Sequence, residues 1–267
     1  MDRWVVSDEL AVDLDDVTGV TVRIVAGDVT VTPGERSRVE VKRLSGADVH
    51  IESREGRLLV AQPDPDVAPI ERFIKMFTEG SRHRCTVAIT AAPGATISVT
   101  TVSADVVASG FSGAGHVKTV SGEVTLSRMA CDVDVKTVSG DVQVKDIAGT
   151  LKVKTVSGDV GVVDGSCRMV DAKSVSGDIL LDLDLDPAGV YDATTVSGDV
   201  ALRTTAEPNL SIDATTVSGR LTSDFGIAFE HRPGRKHVAE TIGSGGARLF
   251  VKTVSGDLRV LRGRRAA

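Results

Sequence analysis

The hexapeptide TVSGDV, with small variations, recurs eight times, and this repetition constrains the fold more than any other feature of the chain. The copies start at Thr101, Thr119, Thr137, Thr155, Ser174, Thr195, Thr216 and Thr253. The first three intervals are 18 residues each, and intervals of 19, 21, 21 and 37 follow. The last is about two periods, and TIGSGGARLFV (Thr241 to Val251) falls inside it as an irregular coil. Degenerate copies, RIVAGDVTV from Arg23 and LSGADVHI from Leu44, carry the pattern towards the start. Around each copy, aliphatic and polar residues alternate. Val117, Val135, Val153 and Ala172 stand two positions before the Thr or Ser, with Lys118, Lys136, Lys154 and Lys173 between. Val124, Val142, Val160 and Ile179 stand five after. Period two marks strands with one buried face. The intervening Gly shifts the parity, as a corner or bulge does.

A strand-rich unit of 18 residues cannot bury its inner face alone, but stacked copies can. At roughly 3.3 Å per residue, each unit makes a coil of about 60 Å contour, room for two or three short strands. The expected fold is therefore all-β, a right-handed parallel β-solenoid (β-helix) of about ten coils with a period near 18–21 residues. One domain spans 1–267, with irregular coils over 1–84 and regular TVSGDV coils over 85–267. Ile70, Phe73, Ile74 and Phe77 follow Pro69 at helical spacing, which predicts a short helical insert near 69–79. Residues 225–246, carrying the basic run HRPGRKH, read as a projecting loop or hairpin.

Composition agrees with thin, identical layers. Only one Trp, one Tyr and six Phe occur in 267 residues, so the core must be Val, Leu, Ile and Ala. With 31 basic and 37 acidic side chains, the net charge of −6 is too mild to suggest a nucleic-acid partner. No run approaches the roughly 20 apolar residues of an integral membrane helix. The short insert leaves peripheral membrane contact open. The opening MDRWVVSDELAVDLDD lacks the basic and apolar regions of a secretory signal. Cys85, Cys131 and Cys167 form no CxxC pair and suit small buried hydrophobes in a reducing compartment. The expected location is cytoplasmic.

The TVSGDV copies, the opening VTGVTVRIVAGDVTV and the late TIGSGGARLFVKTVSGDL resemble the bacterial putative-adhesin β-strand-repeat family, part of the toast-rack group. The resemblance covers nearly the whole chain. It implies a repeat scaffold of unknown function linked to cell-envelope or stress processes, and it supplies no catalytic residues. Relatives joined to membrane segments look like sensing or scaffolding modules.

Each polar motif has a structural reading beside a chemical one. Asp105, Glu123, Asp141, Asp159, Asp178, Asp199 and Asp257 form a column, with Arg220 in the remaining copy. Stacked carboxylates could hold cations between coils, but calcium-binding nonapeptide repeats need GGxGxDxUx in each half, and SGD occurs once per coil. The structural reading is corner chemistry, with Gly in a left-handed conformation, Asp bonded to its local backbone, and the lysines five residues earlier neutralising the column. Asp182, Asp184 and Asp186 read as a solvated strand face. No metal or other cofactor is expected, and no nucleophile elbow, HExxH or P-loop occurs.

If Lys points outward, Thr and Ser of TVS point inward as hydroxyl ladders. The middle column, Val102, Val120, Val138, Val156, Val175, Val196, Val217 and Val254, then faces outward as an apolar interaction stripe, partly covered by the helical insert. The opposite parity would give an outward T-x-S hydroxyl array of the kind found on ice-binding solenoids. Solenoid ends are open sheet edges. Acidic Asp13, Asp15 and Asp16 near one end and basic Arg259, Arg262, Arg264 and Arg265 near the other are candidate head-to-tail contact residues. These features predict a non-catalytic scaffold or interaction module with protein partners or self-association. An adhesin-like surface or carbohydrate-binding module is the alternative, although Trp4 and Tyr191 alone offer little for sugar stacking. A polysaccharide-active enzyme is a distant third.

Overall fold

Strands of alternating polarity gain stability only when their apolar faces are stacked against one another, and this chain stacks them coil upon coil. The computed structural model describes residues 2–62, 83–204, 208–226 and 236–263. The helical insert expected near 69–79 lies outside them. The regular elements among the described residues are β-strands, most of them paired in parallel, and the architecture is a β-solenoid. The chain divides into two compact units, Met1–Leu126 and Ser127–Ala267.

The first unit contains β1 (Asp2–Val6), β2 (Glu9–Leu14), β3 (Gly19–Pro33), β4 (Ser37–Ser45) and β5 (Val49–Arg54). It continues through β6 (Arg57–Ala61), β7 (Arg84–Ala91), β8 (Thr96–Ser109) and β9 (Gly115–Lys118), while β10 (Val124–Met129) runs across the division. The long β3 has parallel partners on both flanks, β8 on one and β6 followed by β7 on the other. Beyond β6 and β7 the pairing turns antiparallel: β5 lies on β6, β4 on β7, β1 on β5 and β2 on β4.

The second unit contains β11 (Val133–Lys136), β12 (Val142–Ile147), β13 (Thr150–Lys154), β14 (Val160–Gly165), β15 (Met169–Lys173) and β16 (Ile179–Leu183). After these come β17 (Val190–Thr194), β18 (Val200–Thr204), β19 (Leu210–Thr216) and β20 (Leu221–Ser223). The last three are β21 (Lys236–Ile242), β22 (Ala247–Lys252) and β23 (Leu258–Arg262). Two parallel ladders run through this unit, β11-β13-β15-β17-β22-β19 and β12-β14-β16-β18-β23-β20. The spatial order therefore departs from the sequence order. The coil of β22 and β23 is inserted between that of β17 and β18 and that of β19 and β20. On its other flank β19 takes β21 as an antiparallel partner.

Thr241–Val251, expected as an irregular coil, ends β21 and leads into this inserted coil. Residues 247–251 belong to β22, and 248–251 sit in register with two parallel neighbours. Of the loop expected over 225–246, residues 227–235 lie outside the described residues and 236–242 form β21.

The core is the inward column of each strand. Val135, Val153, Ala172, Ala193, Val251 and Ala214 stack along one ladder, and Val142, Val160, Ile179, Val200, Leu258 and Leu221 along the other. All are buried, and each large aliphatic side chain among them contributes about 1.5–3 kcal/mol. Tyr191 is fully buried in the same core. Its hydroxyl accepts from the Asp186 amide at 2.9 Å and donates to the Cys167 carbonyl at 2.9 Å. Burial pushes this phenol up to about 12.

Candidate functional site

The repeated corner can be built from its backbone outward. In the second unit Ser139, Ser157, Ser176, Ser197, Ser255 and Ser218 form successive parallel bridges, so the TVSGD corners stack in that order. Each Ser amide donates to the preceding corner's Val carbonyl, from Ser157 to Val138 at 2.8 Å through to Ser218 to Val254 at 2.8 Å. Gly is required here by close approach. A β-carbon on Gly158, Gly177 or Gly198 would lie 2.1–2.3 Å from the carbonyl oxygen of the Gly in the preceding corner. These three have no positive φ, so the expected left-handed Gly is corrected for them.

The Asp column also acts between coils. Oδ1 of Asp141 accepts the Asp159 amide at 2.9 Å, Asp159 that of Asp178 at 2.8 Å, and Asp178 that of Asp199 at 2.7 Å. Asp199 then accepts from Asp257 at 2.8 Å, and Asp257 from Arg220 at 2.8 Å. In the first unit Asp105 accepts from Glu123 at 2.8 Å. Each carboxylate thus holds the next coil rather than its own turn. The hydrogen bond donated by the Arg220 backbone amide, helped by the Arg220 and Arg259 guanidinium groups, holds the Asp257 carboxyl below its usual range. Lysines do not neutralise this column as expected: Lys136 pairs with Asp134 at 3.2 Å and Lys173 with Asp171 at 2.8 Å. Among the described residues no three His, Cys, Asp or Glu side chains gather around a common point where a metal could sit. β16 ends at Leu183, so Asp182, Asp184 and Asp186 do not share one strand face. Asp182 is bound by Arg203, and Asp186 Oδ1 accepts the Ala188 amide at 2.8 Å.

The Thr of each corner points inward and is buried, which excludes the outward hydroxyl array. The Ser does not follow it. Ser139, Ser157, Ser176, Ser197, Ser218 and Ser255 are exposed, because the corner begins at Val and breaks the alternation. A continuous hydroxyl ladder does not form either. Thr101 donates to Thr119 at 2.9 Å, but Thr195 turns to the Gly177 carbonyl at 3.2 Å. The buried hydroxyls of Thr137, Thr155 and Ser174 find no partner among the described residues.

What remains at each corner is the Val side chain. Val138, Val156, Val175, Val196, Val254 and Val217, in spatial order, are 46–49% exposed. Val120, in the first unit, is 42% exposed. Val102 departs from the expected stripe and is buried at 4%. Ala104 replaces the Gly in its copy, the strand β8 runs on from Thr96 to Ser109 without a corner, and the Val stays inside.

The proposed end-contact residues fall in different settings. Asp13 lies on β2 and pairs with Arg38 at 2.8 Å, and Asp15 and Asp16 are exposed in the turn after it. Arg259 lies on the stretch of β23 that has a parallel neighbour on each flank and so is no sheet edge, whereas Arg262, at the end of β23, is paired with β18 alone. Arg259 pairs with Asp199 at 3.1 Å, and the Arg262 guanidinium lies 5.1 Å from the Phe225 ring centre. Arg264 and Arg265 lie outside the described residues. No residue pattern near β23 signals the strand insertion that places it between β18 and β20.

The three cysteines are free and buried. Burial, with Asp28 adding to it, pushes the Cys85 thiol up to about 12, and burial alone pushes Cys167 up to about 11. At neutral pH neither supplies the thiolate that nucleophilic chemistry needs.

Coils that stack in parallel and hold one another through backbone-to-carboxylate bonds define a solenoid scaffold. The chain belongs to the Toastrack DUF4097 family, whose model matches residues 17–261. Among solved structures it is similar to a putative adhesin from Bacteroides fragilis, at 14% identity and a TM-score of 0.52 over 95% of this chain and 97% of that one. A putative adhesin from Parabacteroides distasonis matches at 12% identity and a TM-score of 0.47, covering 96% of each chain. A putative lipid binding protein from the same organism matches at 11% identity and a TM-score of 0.42, over 95% of this chain and 97% of that one. Likeness at such identities speaks for the fold alone. No curated protein matches the chain.

Proposed function

We propose that this protein is a non-catalytic scaffold that binds other proteins through the Val stripe of its corners. The observation that carries this reading is the uninterrupted run of half-exposed Val from Val138 to Val217 in the second unit. The corner's backbone groups and its Asp are bonded to neighbouring coils, so the Val side chain has no structural task there. A contiguous apolar stripe rimmed by Lys and Ser is the usual mark of a contact surface. The name of the Bacteroides fragilis structure favours a binding role in the same direction. Carbohydrate binding is less favoured, since Tyr191 is fully buried and Trp4 is partly buried. A cytoplasmic location is part of the same proposal, supported by the three buried free thiols.

Photo-crosslinking in cells tests the binding role. A photoreactive residue at Val175 or Val196 is expected to give discrete adducts, while one at the exposed Gln143 of β12 gives none. No adduct from the stripe, or the same adducts from both places, overturns the reading.

A further inference from the structure

We infer that the stripe of the second unit receives a second copy of this chain, in a dimer whose two-fold axis runs parallel to the ladder. This rests on the proposed binding role and names its partner. The first reason is period. The six corners from Val138 to Val217 repeat at the strand spacing, and five steps of about 4.8 Å make a ridge about 24 Å long. A ridge of identical period is what another copy of this ridge offers, so each Val meets a Val all along the contact.

The second reason is the charge on the flanks. Lys136, Lys154, Lys173 and Lys252 precede the ridge in four corners, with Thr194 and Thr215 in the other two, and Ser followed by Asp141, Asp159, Asp178, Asp199 and Asp257 comes after it, with Arg220 in the last corner. Two orientations bring the ridges face to face. With the two-fold axis across the ladder and the ridges in full overlap, Lys154 would meet Lys252, Asp159 would meet Asp257 and Asp178 would meet Asp199, while Lys136 and Lys173 would face Thr215 and Thr194, and Asp141 would face Arg220. With the axis along the ladder, each copy's Lys column lies over the partner's Ser and Asp column. Lys154 and Lys252 have no ion pair among the described residues and are free to reach across. Like charges opposed at close range disfavour the first orientation, so complementarity selects the parallel one.

Size sets the strength. From the Lys to the Asp column is five residues, about 17 Å of chain, so each copy contributes roughly 400–600 Å². A total near 1,000 Å² is at the lower limit for a specific interface and corresponds to a weak, concentration-dependent dimer.

Sedimentation of the purified full chain across a hundredfold concentration range tests the association. The expected result is a monomer–dimer equilibrium that Val175→Asp with Val196→Asp weakens at least tenfold, with an unchanged unfolding transition. Orientation is read by mild oxidation of two single variants, Val138→Cys and Val217→Cys, at opposite ends of the ridge; the native thiols are buried. In the parallel dimer each variant cross-links to itself. Cross-linking only in a mixture of the two, a dimer indifferent to the Asp substitutions, or a monomer throughout overturns the inference. A monomer in solution together with adducts of another protein at Val175 in cells would leave the binding role standing and reject the second copy alone. Absence of adducts would reject the role itself.

Discussion

Gly177 stands where a β-carbon would lie 2.1 Å from the Gly158 carbonyl oxygen, and no rotation of a side chain relieves such a contact with backbone. Gly177→Ala must therefore push two corners apart and is expected to lower stability by at least about 1–3 kcal/mol. Gly161, on β14, has nothing within 4 Å of its β-carbon position. Gly161→Ala should be neutral or stabilising by up to about 1 kcal/mol, since it restricts the unfolded chain. Urea midpoints of the two variants check the contrast, and equal destabilisation would sink it. Asp257 gives this scale a pH signature. Its carboxyl is held below the ordinary value of 3.8, chiefly by the Arg220 amide. The associated stability is complete above the unfolded value and disappears as pH falls through the lower folded value. Between about pH 5 and pH 2, Asp257→Asn should consequently lose less stability on acidification than the native chain. Parallel acid limbs for the two proteins would remove Asp257 from the account.

Strands and their inward columns were legible in the chain because alternation and an 18-residue period leave few ways to bury Val117, Val135 and Val153 together. The outward Val stripe was legible for the same reason, through Lys at the preceding polar position. Three features were not. The outward turn of Ser139 and its equivalents depends on where the corner starts, which a period-two count cannot locate. The burial of Val102 follows from β8 running on without a corner, as its neighbour β3 does with Gly27 in register with Ala104 and Val25 buried. The insertion of β22 and β23 leaves no local trace, because any TVSGD coil fits beside any other. It does have a measurable consequence. β23 follows β20 in the chain, yet it lies between β18 and β20 in space. Among the described residues β20 pairs with β23 alone, and the Leu258 amide donates to the Arg220 carbonyl at 2.8 Å. Hydrogen exchange should find Leu258 and Val260 protected as well as Val200 and Leu202, with Leu221 and Thr222 exchanging first. Fraying that starts at β23 would contradict the insertion.

At the scale of the whole molecule, two kinds of self-association compete, and salt separates them. An end-to-end assembly held by Asp13, Asp15 and Asp16 against Arg259 and Arg262 would weaken steeply as salt rises, because exposed charges are screened beyond about 10 Å at 0.1 M. Asp13 is already paired with Arg38, and Arg259 with Asp199, so these two are partly committed within the chain, while Asp15 and Asp16 are exposed. The Val ridge answers differently. Burial of apolar surface does not depend on screening, and exposed Lys–Asp pairs add only about 0–1 kcal/mol each. Two copies of net charge −6 also repel, and salt relieves that repulsion. Between about 50 and about 500 mM salt the dimer constant should therefore change less than about threefold, with no species larger than a dimer. Sedimentation velocity at the two salts decides between them. Large assemblies at low salt that dissolve at high salt would return the contact to the charged ends, and Arg259 and Arg262 would then be the residues to reverse.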